Sequence, residues 1–134
     1  RYDNDTLVRR KSICMQYNQK FETQAWFDAP LFETDSAESC YHLYMLHVSG
    51  MSEAQRDEVI RLVAEKGIAL NVHFQPLPLL SLYKGLGYRM IDYPNAWHQY
   101  AAEISLPVYY TLSDEEVGHV ADAVIAAVNQ AMMS

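Results

Sequence analysis

The sequence is short of basic residues and contains no long hydrophobic run. Ten Lys and Arg residues stand against 17 Asp and Glu residues in a chain of 134, which gives a formal net charge of −7. Because a nucleic-acid surface needs clustered Lys and Arg, we expect no nucleic-acid partner. No apolar run approaches the roughly 20 residues that cross a bilayer, and the first residues form no signal-peptide core, so we expect no membrane partner.

Cysteine and glycine are also scarce, with two and five residues respectively. Cys14 and Cys40 belong to no CxxC or metal-ligand spacing, so we interpret both as buried free thiols. Free thiols favour a reducing, cytoplasmic location. Gly85 and Gly87, in KGLGYR, lack the strand-to-helix context that a phosphate-binding loop requires.

Familiar catalytic and metal-binding motifs are missing as well. No pair of histidines has the i, i+4 spacing of a helical metal site among the five present, which are His42, His47, His73, His98 and His119. The carboxylates of residues 114–116 are explained by the dipole of the helix that they begin. The residues alone therefore predict no catalytic group, no cofactor-binding group and no metal site in this chain.

Apolar periodicity and capping residues predict four helices. They cover residues 5 to about 22 with a start at Asp3 to Asp5, the stretch between Ser52 and Gly67, residues 94 to about 103, and Ser113 to about residue 128. Ser52 with Gln55, and Ser113 with Glu116, match the capping-box pattern. A further helical turn is predicted over residues 79–84.

Three strands are predicted, over residues 41–48, 68–74 and 104–109. In residues 68–74 the bulky side chains alternate and are predicted to face the core: Ile68, Leu70, Val72 and Phe74. This phase puts His73 on the opposite face. Pro107 implies an edge position or a bulge, and residues 24–40 are predicted to form a loop with a short extended piece. Together these elements predict an α+β fold, with one small sheet covered by helices.

Five stretches of the sequence carry a family resemblance: YHLYMLHV at 41–48, RDEVIRLVAEKGIALNVHFQPLP at 56–78, LGY at 86–88 after Tyr83, DYPNA at 92–96, and ISLPVYYTLSDEEV at 104–117. In this order they resemble the C-terminal part of the PLP-dependent sugar aminotransferases of the DegT/StrS class. The resemblance covers residues 41 to about 128 and implies fold type I, whose small domain has a mainly antiparallel sheet covered by helices.

The resemblance implies that residues 41–134 are the C-terminal small domain and that residues 1–40 are a linking helix and entry loop. The chain lacks an initiator Met and opens on helix-like residues, which predicts a piece of a longer protein. Its partners would be a missing N-terminal large domain, a nucleotide-sugar substrate and, in the complete enzyme, a second copy in a homodimer. The reaction would move an amino group from glutamate to a nucleotide-linked keto sugar by means of PLP, for polysaccharide biosynthesis.

The sequence departs from the family in its lysines. In the family, the lysine that binds PLP lies in the large domain near a Gly-rich stretch, whereas the lysines here are Lys11, Lys20, Lys66 and Lys84 and lack those surroundings. We therefore expect that this chain alone neither binds PLP covalently nor transaminates. The alternative that stays open is a stand-alone, non-catalytic α+β module for interaction or ligand binding.

His73 is the foremost candidate for contact with substrate. In the family the VHY or VHF segment lies by the substrate cleft, which implies that His73 hydrogen-bonds a sugar hydroxyl or a diphosphate oxygen. Gln75 and Tyr83 are weaker candidates for the same cleft. The structural alternative for His73 is a strand-end histidine that bonds a neighbouring backbone carbonyl, and His42 and His47 are expected to pack within the sheet.

Overall fold

The computed structural model describes residues 4–133 and has an α+β fold, as predicted. Its helices are α1 Asn4–Phe21, α2 Glu53–Ala64, α3 Ser81–Gly85, α4 Pro94–Ala101 and α5 Asp114–Met132, with 3₁₀ turns at Leu77–Leu79 and Met90–Asp92. Its strands are β1 Phe27–Asp28, β2 Glu33–Thr34, β3 Ala37–Glu38, β4 Tyr44–Val48 and β5 Glu103–Leu106. Asp3, part of the predicted start of the first helix, lies outside the described residues.

The main sheet has three antiparallel strands in the order β1–β4–β5. Tyr44 is paired with Leu106, and His47 with Glu103. β5 lies at one edge of this sheet. It ends at Leu106 because Pro107 has no N–H to continue the ladder. Strands β2 and β3 form a separate two-stranded hairpin. The sheet is therefore small and antiparallel, as the resemblance implied.

One core joins the sheet to the helices. Alternate residues of β4 and β5 are fully or almost fully buried and face this core, namely Tyr44, Leu46, Val48, Ile104 and Leu106. α1 adds Tyr17, whose ring lies 5.0 Å from that of Tyr44. α5 adds mostly Val and Ala, whose small side chains let α1 and α2 pack closely against it. α1 thus shares the core of the later elements, and the domain division at residue 41 stays a prediction.

Both predicted capping boxes are confirmed. The Ser52 hydroxyl accepts from the Gln55 N–H, and the Ser113 hydroxyl accepts from the Glu116 N–H at 3.2 Å. In each box the third helical residue reaches back to the backbone N–H of the cap. These signals are local, so the sequence alone places the two helix starts correctly.

The predicted strand over residues 68–74 is wrong. Asn71 forms a single isolated β-bridge with Ser105. The backbone N–H groups that follow donate to side chains and do not continue a β-ladder. The Val72 N–H donates to its neighbour Asn71 Oδ1 at 2.8 Å, and the His73 N–H donates to Glu103 Oε2 at 3.0 Å. Phe74, predicted to face the core, is 75% exposed. β1, from the predicted loop, supplies the third strand in its place.

Candidate functional site

His73 is held at the edge of the main sheet by β5. Its ring Nδ1 lies 2.8 Å from Ser105 Oγ, and its backbone N–H donates to Glu103 Oε2. The Ser105 hydroxyl donates to Glu103 Oε1 at 2.6 Å. The ring thus contacts a side-chain hydroxyl and not a backbone carbonyl, and three residues form one connected hydrogen-bond chain.

Glu103 and Ser105 lie on the face of β5 opposite the core, yet they are only 2% and 5% exposed. Burial raises the pKa of Glu103 above its ordinary value, while hydrogen bonds from Ser105 and from the His73 backbone, and the charge of Arg56, act in the opposite direction. No motif in the sequence indicated either residue as a site candidate. The available signal is the alternation of polar and apolar residues in Glu103–Leu106.

Tyr83 lies in a different place, on the wall of an apolar cavity of about 390 Å³. The lining residues are Pro76, Leu77, Pro78, Tyr83, Tyr88, Tyr93 and Ala96. The rings of Tyr83 and Tyr88 meet edge to face with their centroids 6.0 Å apart. Neither His73 nor Gln75 lines this cavity, and Gln75 is exposed between the two regions. The structure therefore does not bring the three predicted residues into one pocket.

The segment around this cavity forms a large apolar surface. No residue from 74 to 93 is buried, although many are large and hydrophobic. We define the apolar surface by its exposed members, which are Phe74, Leu77, Leu80, Leu82, Leu86, Tyr88, Ile91 and Tyr93. Where exposed apolar side chains form a contiguous patch, they mark contact with another protein surface or a ligand.

The other predicted packing residues behave differently from one another. His47 lies within β4, half-buried, with Nδ1 3.6 Å from Asp28 Oδ2. The expectation that His42 packs within the sheet is wrong, because His42 is exposed and precedes β4. Of the two free cysteines, Cys14 is buried as predicted, but Cys40 is exposed.

None of the four lysines lines the apolar cavity that contains Tyr83. Hydrogen bonds to Glu33 and Glu38 hold the pKa of Lys11 well above its usual range. Lys20 pairs with Asp122 at 3.1 Å, and both Lys66 and Lys84 are exposed.

Two features are absent from residues 4–133. No helix in this part of the chain has the length and apolar character needed to span a membrane. No group of three or more His, Cys, Asp or Glu side chains there is arranged to hold a metal ion.

A family model described as the DegT/DnrJ/EryC1/StrS aminotransferase family matches residues 3–125. The spore coat polysaccharide biosynthesis protein SpsC of Bacillus subtilis is 35% identical over 124 residues, which are 90% of this chain and 32% of that protein. A UDP-4-amino-4,6-dideoxy-N-acetyl-beta-L-altrosamine transaminase of Campylobacter jejuni is 28% identical over 120 residues, 90% of this chain and 31% of that protein. The chain thus spans about a third of the length of these relatives.

Solved structures give the same result. Spr1654 of Streptococcus pneumoniae, assigned as a sugar aminotransferase and solved in its PMP form, superposes with a TM-score of 0.90 at 38% identity. The superposition covers 96% of this chain and 32% of that one. Helicobacter pylori PseC, at 24% identity over 93% of this chain and 33% of its own, superposes with a TM-score of 0.80, which supports the fold alone.

Proposed function

Because the chain belongs to the DegT/DnrJ/EryC1/StrS aminotransferase family and spans about a third of its relatives' length, we propose that it is the C-terminal small domain of a sugar aminotransferase. The complete enzyme would move an amino group from glutamate to a nucleotide-linked keto sugar, for polysaccharide biosynthesis. The observation that carries the proposal is the 38% identity to Spr1654 over nearly the whole chain. The small domain binds and orients the sugar, while the cofactor is held elsewhere.

PLP supplies the carrier for the amino group when it is bound in such an enzyme. Since the lysines of this chain do not fit that role, the covalent site belongs to the proposed N-terminal large domain, and the chain alone is inactive. The apolar surface supports this division, because a protein surface of such hydrophobicity is normally covered. We further propose that the enzyme is cytoplasmic and homodimeric. Sedimentation of the full-length protein would check the dimer.

His73 is the residue that we assign to the substrate. Its ring is only half-buried, and its Nδ1 is already engaged with Ser105, so Nε2 is the atom left to meet a ligand. Gln75 and Tyr83 remain weaker candidates that would need the large domain to complete their surroundings. Tyr83 contributes an amphipathic ring to the wall of the apolar cavity.

The direct test replaces His73 by Ala in the full-length protein. Losing one hydrogen bond to the sugar should weaken the affinity for the nucleotide sugar by about tenfold. His119→Ala, on an exposed position of α5, is the matched control and should bind normally. Isothermal titration with a keto-sugar nucleotide measures both. An affinity unchanged by His73→Ala, in a normally folded protein, would reject the contact.

The rival function is a stand-alone, non-catalytic module, and the lysines favour it because none fits covalent PLP binding. The length of the natural gene product separates the two. An enzyme requires a preceding region with a lysine in a Gly-rich setting, whereas a product that begins at Arg1 would leave only the module.

A further inference from the structure

The chain Glu103–Ser105–His73 constrains where protons can lie. Ser105 Oγ contacts Glu103 Oε1 at 2.6 Å and His73 Nδ1 at 2.8 Å. A hydroxyl has one proton to donate and accepts through its lone pairs. If Ser105 donates to Glu103, then Nδ1 of His73 must carry a proton and donate to Ser105. If Ser105 donates to Nδ1, the neutral ring must instead carry its proton on Nε2.

The carboxylate of Glu103 decides between these two arrangements. Its Oε2 already accepts the backbone N–H of His73, whose donor direction is fixed by the main chain. In the 2.6 Å contact between Ser105 Oγ and Glu103 Oε1, the hydroxyl is the donor. An ionised carboxylate only accepts, so the Ser105 proton points to Glu103.

We propose that Glu103, acting through Ser105, is a positioning residue that holds His73 in the Nδ1–H tautomer, so that Nε2 accepts a hydrogen bond from a sugar hydroxyl. This rests on the proposed function, in which His73 meets the substrate, and deepens it by choosing the ligand group. A bare Nε2 lone pair attracts a hydroxyl proton and repels a phosphate oxygen. No hydrogen bond within residues 4–133 uses Nε2.

Several titratable groups surround Glu103 and act on its charge. Arg56 of α2 favours the ionised form. His47 of β4 is its direct partner in the antiparallel register, and His73 approaches it from the sheet edge. Burial is the opposing influence. The two hydrogen bonds that the carboxylate accepts, together with the charge of Arg56, favour its ionised form against this burial.

Glu103→Gln makes a sharp test because an amide has one acceptor and one donor end. The fixed N–H of His73 requires the amide oxygen, which leaves the amide NH₂ facing Ser105. Ser105 then accepts from Gln and turns its own proton toward Nδ1. The variant should therefore move the ring proton of His73 from Nδ1 to Nε2, although no atom of His73 has been changed.

The measurement is long-range ¹H–¹⁵N correlation NMR of the protein labelled with ¹⁵N in its histidine rings, at neutral pH. The signals of His73 are identified by their loss in His73→Ala. We expect a pyrrole-like Nδ1 and a pyridine-like Nε2 in the wild type, and the reverse in Glu103→Gln. Ser105→Ala should abolish the Nδ1–H preference, and Ser105→Thr, which keeps the hydroxyl, should restore it.

Glu115→Gln, an exposed substitution in the first turn of α5, is the matched control and should leave the His73 signals unchanged. A wild-type ring protonated on Nε2, or a tautomer unaffected by Glu103→Gln, would overturn the proposal. If Glu103→Gln does not fold, Ser105→Ala decides, since a retained Nδ1–H preference would equally refute the route through Ser105.

The role of Glu103 and the contact of His73 with substrate can be rejected independently of each other. A correct tautomer, together with unchanged nucleotide-sugar affinity in His73→Ala, would reject the contact proposed above while leaving the role of Glu103 intact. Weakened affinity in His73→Ala with the opposite tautomer would keep the contact and reject the role of Glu103.

Discussion

Glu103 is paired with His47 across the sheet and lies on the side away from the core. The family resemblance indicated His73, which lies against β5, but no motif indicated Glu103 or Ser105. These two residues are separated from His73 by about thirty positions, and only the folded chain reveals their contact. A lone buried carboxylate in a short strand gives too little pattern to predict its partner.

The pKa of Glu103 leads to a prediction about stability. Burial raises this pKa in the folded protein. The contribution of Glu103 to the free energy of unfolding is therefore complete below the unfolded pKa of about 4.3 and is lost as pH rises through the folded pKa. Glu103→Gln removes this dependence. Its unfolding free energy relative to the wild type should therefore increase between about pH 4 and about pH 7, as measured by urea denaturation.

Glu116→Gln provides a control of opposite sign. Hydrogen bonding to Ser113 lowers the pKa of Glu116, so its contribution is present above the unfolded pKa and is lost as pH falls through the folded one. The relative stability of this variant should decrease as pH rises. Parallel trends in the two variants would contradict the assignment of Glu103 as a carboxylate with a raised pKa.

Among the helices and strands, those set by local sequence signals were predicted correctly, whereas those that depend on distant partners were not. The starts of α2 and α5 follow from capping boxes within four residues of sequence. The alternation in residues 68–74 predicted a strand, but the amides of Val72 and His73 bond to side-chain oxygens, one of them from β5. Two prolines, Pro76 and Pro78, then prevent the ladder from continuing.

The apolar surface over residues 74–93 leads to a prediction about the stability of the full-length protein. If the large domain covers it, Leu86→Glu combined with Ile91→Glu should destabilise the full-length protein, since each buried side chain contributes about 1.5 kcal/mol or more. A lower thermal midpoint checks this. Leu31→Glu, outside the surface and similarly exposed, should have little effect. An unchanged midpoint in the double variant would show that the surface stays uncovered.

At the scale of the whole molecule, the ordered motifs indicated the family correctly, and the fold class was correct as well. The chain spans about a third of its relatives' length, and one cluster of buried side chains joins its sheet to its helices. The prediction that His73 and Tyr83 share one cleft is not met within this chain, where the two residues lie in separate places. Their separation depends on long-range packing, which the sequence pattern does not show.

We predict that this domain works with a PLP-binding lysine that lies outside residues 1–134. The full-length protein should be incubated with PLP, reduced with borohydride and digested, and the modified lysine located by mass spectrometry. We predict a modified lysine outside this chain, and no stable PLP absorbance after dialysis of the chain alone. Modification of Lys66 or Lys84, lost when that lysine is substituted, would contradict the account.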